Sequence, residues 1–271
     1  HKNLKKILQM KFKKIYLFGS NGFIAKGFQT YFKEKKIKFF NINKKNYKKY
    51  KNSYCDLFLN LNGNSSKILA EKNLLKSYEN NVSSSIKTIN DFKVGKYVYI
   101  SSCAVYNNVN IKNKTKEDSK IDLNILDNYG FIKYICEQII KRKVKNYLII
   151  RPSGLVGIGL KKNVVYDILN RKKLFDNKNS LFNFINTKNF AEIVFKLAKK
   201  KNNEIYNVAS NKNIKVSKIN DLFFKKKVNY SKYNLIKNEI SVSKLSRIIK
   251  LESSQKYISM YMDQIKNIQK K

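Results

Sequence analysis

The sequence predicts an α/β fold, a doubly wound parallel sheet with a small C-terminal domain, from three observations. Short, wholly apolar segments alternate with amphipathic ones through the first half of the chain, the pattern of a parallel sheet covered by helices on both faces. Glycine is scarce, nine in 271 residues, yet Gly19, Gly22 and Gly27 cluster after the first apolar segment and Gly154, Gly157 and Gly159 past the middle. The single proline, Pro152, follows the last of the regular alternation.

Residues 14–18 form the first strand, the glycine turn follows, and helical spacing covers 23–32. Strands at 37–42 and 56–61 come next, then a helix over 67–92, a strand at 96–101, a helix over 128–145 and a fifth strand at 147–151. Beyond Pro152, helices near 163–170, 189–200 and 254–268 are separated by short strands at 181–185 and 204–208. This reading assigns 12–152 with 181–209 to the sheet domain and 153–180 with 210–271 to the smaller one. The Asn/Lys-rich stretch 107–118 is a surface loop, and there is no internal repeat.

The chain carries one His, at position 1, and three widely separated Cys, Cys55, Cys103 and Cys136. That composition argues against a structural zinc site, a His-based triad and a disulfide framework, so no metal is expected and a reducing, cytoplasmic setting fits. Because the chain opens with His1 rather than Met, a start that is missing or replaced is expected. No apolar run approaches the roughly 18 residues of a membrane span, so no membrane insertion is expected.

The formal charge is +40, from 58 Lys and Arg against 18 Asp and Glu. Only Arg142, Arg151, Arg171 and Arg247 are arginine, whereas nucleic-acid readers lean on Arg for bidentate and stacking contacts. Lys and Asn are spread together along the whole chain, and both have A/T-rich codons, so base composition accounts for the charge without a specific nucleic-acid partner. The field still draws in anionic small molecules and binds polyanions weakly and salt-dependently.

Three stretches carry chemistry. Gly19, Ser20, Asn21, Gly22, Phe23, Ile24 and Ala25 place a glycine turn between strand and helix, where open backbone N–H groups and the helix dipole favour an anion. At the end of the second strand, where dinucleotide folds carry an acidic residue for the adenosine ribose, stands Asn41, followed by Asn43, Lys44 and Lys45. An amide there does not repel a 2′-phosphate and a nearby Lys can bind one, so NAD and NADP both stay open. The strand at 96–101 ends in Ser101 and Ser102 at the carboxyl edge of the sheet, and Tyr129 and Lys133 stand at i and i+4 on one helix face. A fixed cation and an oxidised nicotinamide both favour the phenolate, which can then take a proton from a sugar hydroxyl as hydride leaves the same carbon, with Ser102 holding the oxygen.

In order and content these motifs resemble the extended short-chain dehydrogenase/reductases, the NAD-dependent epimerase/dehydratase group that modifies nucleotide sugars. The resemblance rests on the GSNGFIA turn at 19–25, the SSCAVY stretch at 101–106, the YGFIK motif at 129–133 with Glu137 following, and RPSGLVG at 151–157. Weaker echoes at Asn81, 184–191, 206–208 and 243–245 extend it over almost the whole chain. It implies a Rossmann domain binding NAD or NADP and a small C-terminal domain closing over a nucleotide sugar. By motif position, Gly19, Asn21, Gly22, Phe23 and Ile24 would line the pyrophosphate, Asn41 and Lys44 the adenosine ribose, and Asn81, Tyr129 and Lys133 the nicotinamide side. Ser102, Tyr129 and Lys133 would be catalytic. Ser102 and Cys103 would sit near the substrate, Cys103 as a small packing residue rather than a nucleophile. A homodimer paired through two helices, one of them bearing Tyr129, is also implied.

The departures from the family pattern narrow the chemistry. Cys103 and Ala104 stand where the dehydratase branch has an Asp-Glu pair, which argues against elimination of water. Gly154 replaces an Asn used near the substrate diphosphate, leaving Lys161, Lys162 and Asn163 as substitutes, and Ile132 replaces a common Ser. The expected function is therefore an NAD(P)-dependent oxidoreductase or epimerase acting on a nucleoside-diphosphate sugar, for surface polysaccharide. The alternatives are a keto-sugar reductase without epimerase activity and a non-catalytic nucleotide- or polyanion-binding protein.

Overall fold

The computed structural model describes residues 11–200, 203–233 and 235–269. The expectation attached to His1 lies outside the described residues, as do the last two residues of the smaller predicted domain.

The first unit runs β1 (Ile15–Phe18), α1 (Phe23–Glu34), β2 (Phe40–Ile42), the short α2 (Tyr47–Tyr50) and β3 (Tyr54–Asn60). Then come α3 (Lys67–Lys72), α4 (Leu74–Tyr78), a π-helical turn (Glu79–Ser83), α5 (Ser84–Asp91), β4 (Lys93–Ile100), α6 (Asn128–Lys143) and β5 (Tyr147–Pro152). The remainder comprises β6 (Gly154–Val156), α7 (Val164–Leu169), β7 (Leu181–Phe182), β8 (Phe184–Asn186), α8 (Thr187–Ala198) and β9 (Glu204–Val208). It closes with β10 (Ile214–Lys215), α9 (Val216–Phe223), α10 (Ser243–Ser246) and α11 (Ser254–Gln269).

Six strands form one parallel sheet in the order β2-β1-β3-β4-β5-β9. Successive side chains of a strand point to opposite faces, and the sheet uses both. Ile15, Leu17, Leu57, Leu59, Val98, Ile100, Leu148 and Ile150 pack on one side with Phe28 and Phe32 of α1 and Phe190 and Val194 of α8. Tyr16, Phe58, Tyr97, Tyr99 and Ile149 pack on the other with Val82 and with Ile132, Cys136 and Ile140 of α6. A third apolar cluster gathers Val156, Val165, Ile168, Phe184, Ile219 and Ile258 from the later elements.

Because β1 sits between β2 and β3, the connections leaving it diverge, and the crevice beyond the carboxyl ends of β1 and β3 is a topological switch point. In open α/β sheets that is where ligands bind.

Two predicted elements differ in extent. Residues 37–42 yield strand only from Phe40, because α1 ends in a turn with Lys36 at φ 52° and Ile37 N donating to Phe32 O at 2.8 Å. The single helix predicted over 67–92 is divided: Asn73 ends α3 and caps α4, its Oδ1 accepting from Lys76 N at 2.8 Å, and the π turn intervenes before α5.

Candidate active site

The glycine turn lies at the switch point. Gly19 adopts φ +82°, and a Cβ on it would come within 2.7 Å of Asn62 N. Glycine is therefore required both by conformation and by the approach of the loop after β3. Gly22 caps α1 without a side-chain bond and no acidic residue occupies the first helical turn, so the leading N–H groups of α1, on Phe23 and Ile24, face the crevice side as open donors. Ser20 Oγ is buried there without a partner. Asn21 is exposed at the tip of the turn. Gly27 has a separate reason to be glycine: a Cβ would meet Thr187 O at 2.4 Å, where α1 crosses the start of α8.

Across the crevice, β4 delivers Ser101 and Ser102. Ser101 is buried and donates to Glu137 Oε1 at 2.6 Å, whereas Ser102 is half-buried and its Oγ accepts from Ala104 N at 3.1 Å, starting a tight turn. The Asp127 cap of α6 accepts from Gly130 N at 2.7 Å and pairs with Lys67 at 2.7 Å. A Cβ on Gly130 would stand 2.3 Å from Ala104 O, so this glycine lets the first turn of α6 seat against the turn after β4. Tyr129 is thereby brought to Ser102, to which its phenol is hydrogen-bonded.

Lys133, one turn along, is buried. Its Nζ donates to Ile100 O at 3.0 Å and Tyr99 Oη at 3.3 Å and lies over the Tyr99 ring. Burial lowers its ammonium to about 8. Burial is also the largest influence on Tyr129, pushing its phenol up to about 12 against the opposing effect of the Ser102 bond. The charge balance thus differs from the sequence expectation, in which the Lys cation dominates: desolvation prevails over it in this arrangement.

Asn81 projects from the π turn. Its Nδ2 donates to Ser77 O at 2.9 Å and Asn64 O at 3.3 Å, while its Oδ1 is buried without a partner. A Cβ on Gly63 would lie 2.6 Å from that oxygen and 3.6 Å from Lys133 Nζ, so both polar groups border the same small residue after β3. A π turn inside a helical run often marks a functional position.

The other predicted residues divide. Asn41 stands exposed at the end of β2, its Oδ1 accepting from Gln29 Nε2 at 2.9 Å, with Lys44 exposed just beyond. Cys103 turns into the core, its thiol on Arg151 O at 3.3 Å and pushed well up by burial, which fits packing and leaves the substrate side to Ser102. Lys161 is exposed; Lys162 Nζ reaches across to Ser65 O at 2.5 Å. Asn163, at φ 112°, caps α7 through Tyr166 N and donates to Leu155 O at 3.0 Å, so its side chain is engaged within its own segment. Gly154 cannot be the Asn of relatives here, because a Cβ would meet Asn183 O and the Phe184 ring at 2.7 Å.

Sequence reasoning missed the support beneath the site. Arg151 donates to Glu137 Oε1 and Oε2 at 2.9 and 2.7 Å and to Tyr106 Oη at 3.0 Å, and Tyr106 donates to Asn207 Oδ1 at 2.8 Å. This fully buried ion pair ties α6 to β5 directly below Ser101. The signal was present, since Glu137 falls one turn after Lys133, but its partner lies on a different element.

The model of the NAD-dependent epimerase/dehydratase family matches residues 15–209. No curated protein matches the chain by sequence. Among solved structures, UDP-glucose 4-epimerase from Thermotoga maritima is 15% identical with a TM-score of 0.74, covering 94% of this chain and 99% of its own. UDP-glucuronic acid 4-epimerase from Bacillus cereus, solved with NAD, gives 16%, 0.75, 94% and 99%. The dTDP-4-dehydrorhamnose reductase of Bacillus anthracis, solved with NADP, gives 16%, 0.70, 94% and 99%. At such identities the likeness establishes the fold, and the family match over most of the chain establishes kinship: this protein is a member of the NAD-dependent epimerase/dehydratase family.

Proposed function

We propose that the chain catalyses reversible NAD(P)-dependent hydride transfer at a carbinol carbon of a nucleoside-diphosphate sugar, with Tyr129 as the proton acid/base. The observation that carries this reading is the convergence of Tyr129, Ser102 and Lys133 beside the switch-point crevice. The crevice suits a dinucleotide: Gly19 and Gly22 make a cradle that side chains would fill, α1 opens with uncapped donors, and Ser20 Oγ and Asn81 Oδ1 are buried polar atoms awaiting partners. The named structural neighbours include epimerases and a reductase of UDP- and dTDP-sugars.

A bound nicotinamide would supply the hydride acceptor or donor. The phenol oxygen of Tyr129 takes the hydroxyl proton as the C–H bond breaks, and returns it when the carbonyl is reduced. Ser102 Oγ holds the same oxygen and donates to it as charge develops. Lys133, anchored by Tyr99 and Ile100, keeps a third N–H and its positive charge on the nicotinamide side. Lys161 and Lys162 bracket the substrate side of the crevice, with 153–180 and 210–271 as the region that closes over the sugar nucleotide. Surface polysaccharide synthesis is the role this chemistry suits.

The test is to supply UDP- and dTDP-sugars and their 4-keto forms with each dinucleotide, following sugar interconversion and reduced-cofactor absorbance. Turnover that Tyr129→Phe lowers by about 10²–10⁴-fold with dinucleotide affinity intact supports the reading; full activity in that variant refutes it.

A further inference from the structure

We propose that this chain selects the 2′-phosphorylated dinucleotide, NADP(H), over NAD(H), and that Asn41, oriented by Gln29, sets that choice together with Lys44 and Lys45. The inference rests on the reading above that the crevice holds a nicotinamide dinucleotide.

Asn41 pairs with Leu17 in the register of β2 on β1, which puts it at the sheet edge beside the glycine turn. In dinucleotide-binding sheets this strand end faces the adenosine ribose, and a carboxylate there accepts hydrogen bonds from the ribose hydroxyls. Here the residue is an amide whose orientation is fixed by chemistry. Gln29 Nε2 donates to Ser20 O at 2.9 Å and stands 2.9 Å from the side chain of Asn41. A main-chain carbonyl only accepts, so the Gln29 atom is its NH2 group and the Asn41 atom facing it is the carbonyl oxygen. That leaves Asn41 Nδ2, with two hydrogens and no acceptor among the described residues, as the group it offers outward.

The surroundings repeat the preference for an acceptor-rich ligand. Asn41 O accepts from Asn46 Nδ2 at 2.9 Å, Asn43 Oδ1 from Lys45 N at 2.9 Å and Asn46 Oδ1 from Asn43 N at 2.8 Å, so the nearby oxygens are engaged and the turn is pinned. Lys44 and Lys45 are exposed on that turn and join no ion pair among the described residues. Glu34 is the sole carboxylate between positions 11 and 55, and it is paired with Lys188 at 2.5 Å. A ribose diol needs an acceptor at this edge and finds donors and cations. A 2′-phosphate, with its three acceptor oxygens, needs donors and cations.

The overall +40 charge attracts any phosphate, so the test uses isomers of equal charge. Calorimetric titration of the full chain with adenosine 2′,5′-bisphosphate and adenosine 3′,5′-bisphosphate, at about 150 mM salt to screen the general field, is expected to favour the 2′ isomer by about tenfold or more. NADPH is expected to bind about 10–100-fold more tightly than NADH, read from reduced-nicotinamide fluorescence. Asn41→Asp should reverse that order, and Gln29→Leu, which frees the amide to rotate, should narrow it. Lys44→Ala with Lys45→Ala should weaken the 2′ isomer and spare the 3′ isomer. Equal binding of the two isomers, or NADH favoured by the unaltered chain, overturns the inference while leaving the dinucleotide reading standing. Failure of both dinucleotides to bind overturns both.

Discussion

Gly130 rests so close to Ala104 that a first side-chain carbon would come within 2.3 Å of the Ala104 carbonyl oxygen. The contact joins the start of α6 to the turn after β4 and so holds Tyr129 against Ser102. Gly130→Ala should lower stability by about 1–3 kcal/mol, as overpacking does, and reduce turnover more than dinucleotide affinity. Thermal melts with parallel binding and rate measurements check this. An unchanged melt would mean that the Ala104 turn yields freely.

Lys133 ties stability to pH. Burial lowers its ammonium to about 8, whereas an unfolded lysine titrates near about 10.4. Between those values the unfolded chain holds a proton that the folded chain has shed, so this residue's contribution to stability rises with pH across that window and is lowest below it. Lys96, also lowered by burial to about 8, titrates in the same range, so the difference between Lys133→Met and the unaltered chain is the quantity to read. The variant's relative stability, from urea unfolding, should be greatest near neutral pH and shrink toward pH of about 10.

The Glu137–Arg151 pair is buried on both sides, at 0% and 2% side-chain exposure. Glu137→Gln keeps the shape but leaves the guanidinium uncompensated in the core, and breaking such a pair costs about 3–5 kcal/mol. Denaturant midpoints should fall accordingly. A midpoint equal to that of the unaltered chain would show that Tyr106 and the neighbouring carbonyls suffice for Arg151.

Gly19→Ala should strain the turn twice over, through φ +82° and through the 2.7 Å approach to Asn62 N. Relief requires the loop after β3 to retreat, at about 1–3 kcal/mol, and the dinucleotide cradle widens with it. Fluorescence titration with reduced dinucleotide should show at least about tenfold weaker binding.

Much of this arrangement was legible in the sequence because it is local. Apolar strands, the glycine turn and the Tyr129–Lys133 spacing are read within a few residues, and β9 at Glu204–Val208 was predicted to the residue. Features built across elements were not. Gln29 matters only because β2 pairs beside β1 and brings Asn41 within its reach. Glu137 finds Arg151 from a different element. The amphipathic α9 lacks a side-chain cap and follows a two-residue strand, so nothing local marked its start. The break at Asn73 turns on whether an Asn side chain caps the next turn, which composition does not reveal.

The π turn at Glu79–Ser83 carries one residue more than a regular helix would and sets Asn81 and Val82 both inward. Removing any single residue there would restore ordinary winding but rotate everything downstream by about 100°, turning Ser85 and Thr88 out of the sheet face they now occupy. Chain length, as much as residue identity, is therefore constrained in this helical run: gaps should be tolerated in the loops on either side of it long before one is tolerated within it.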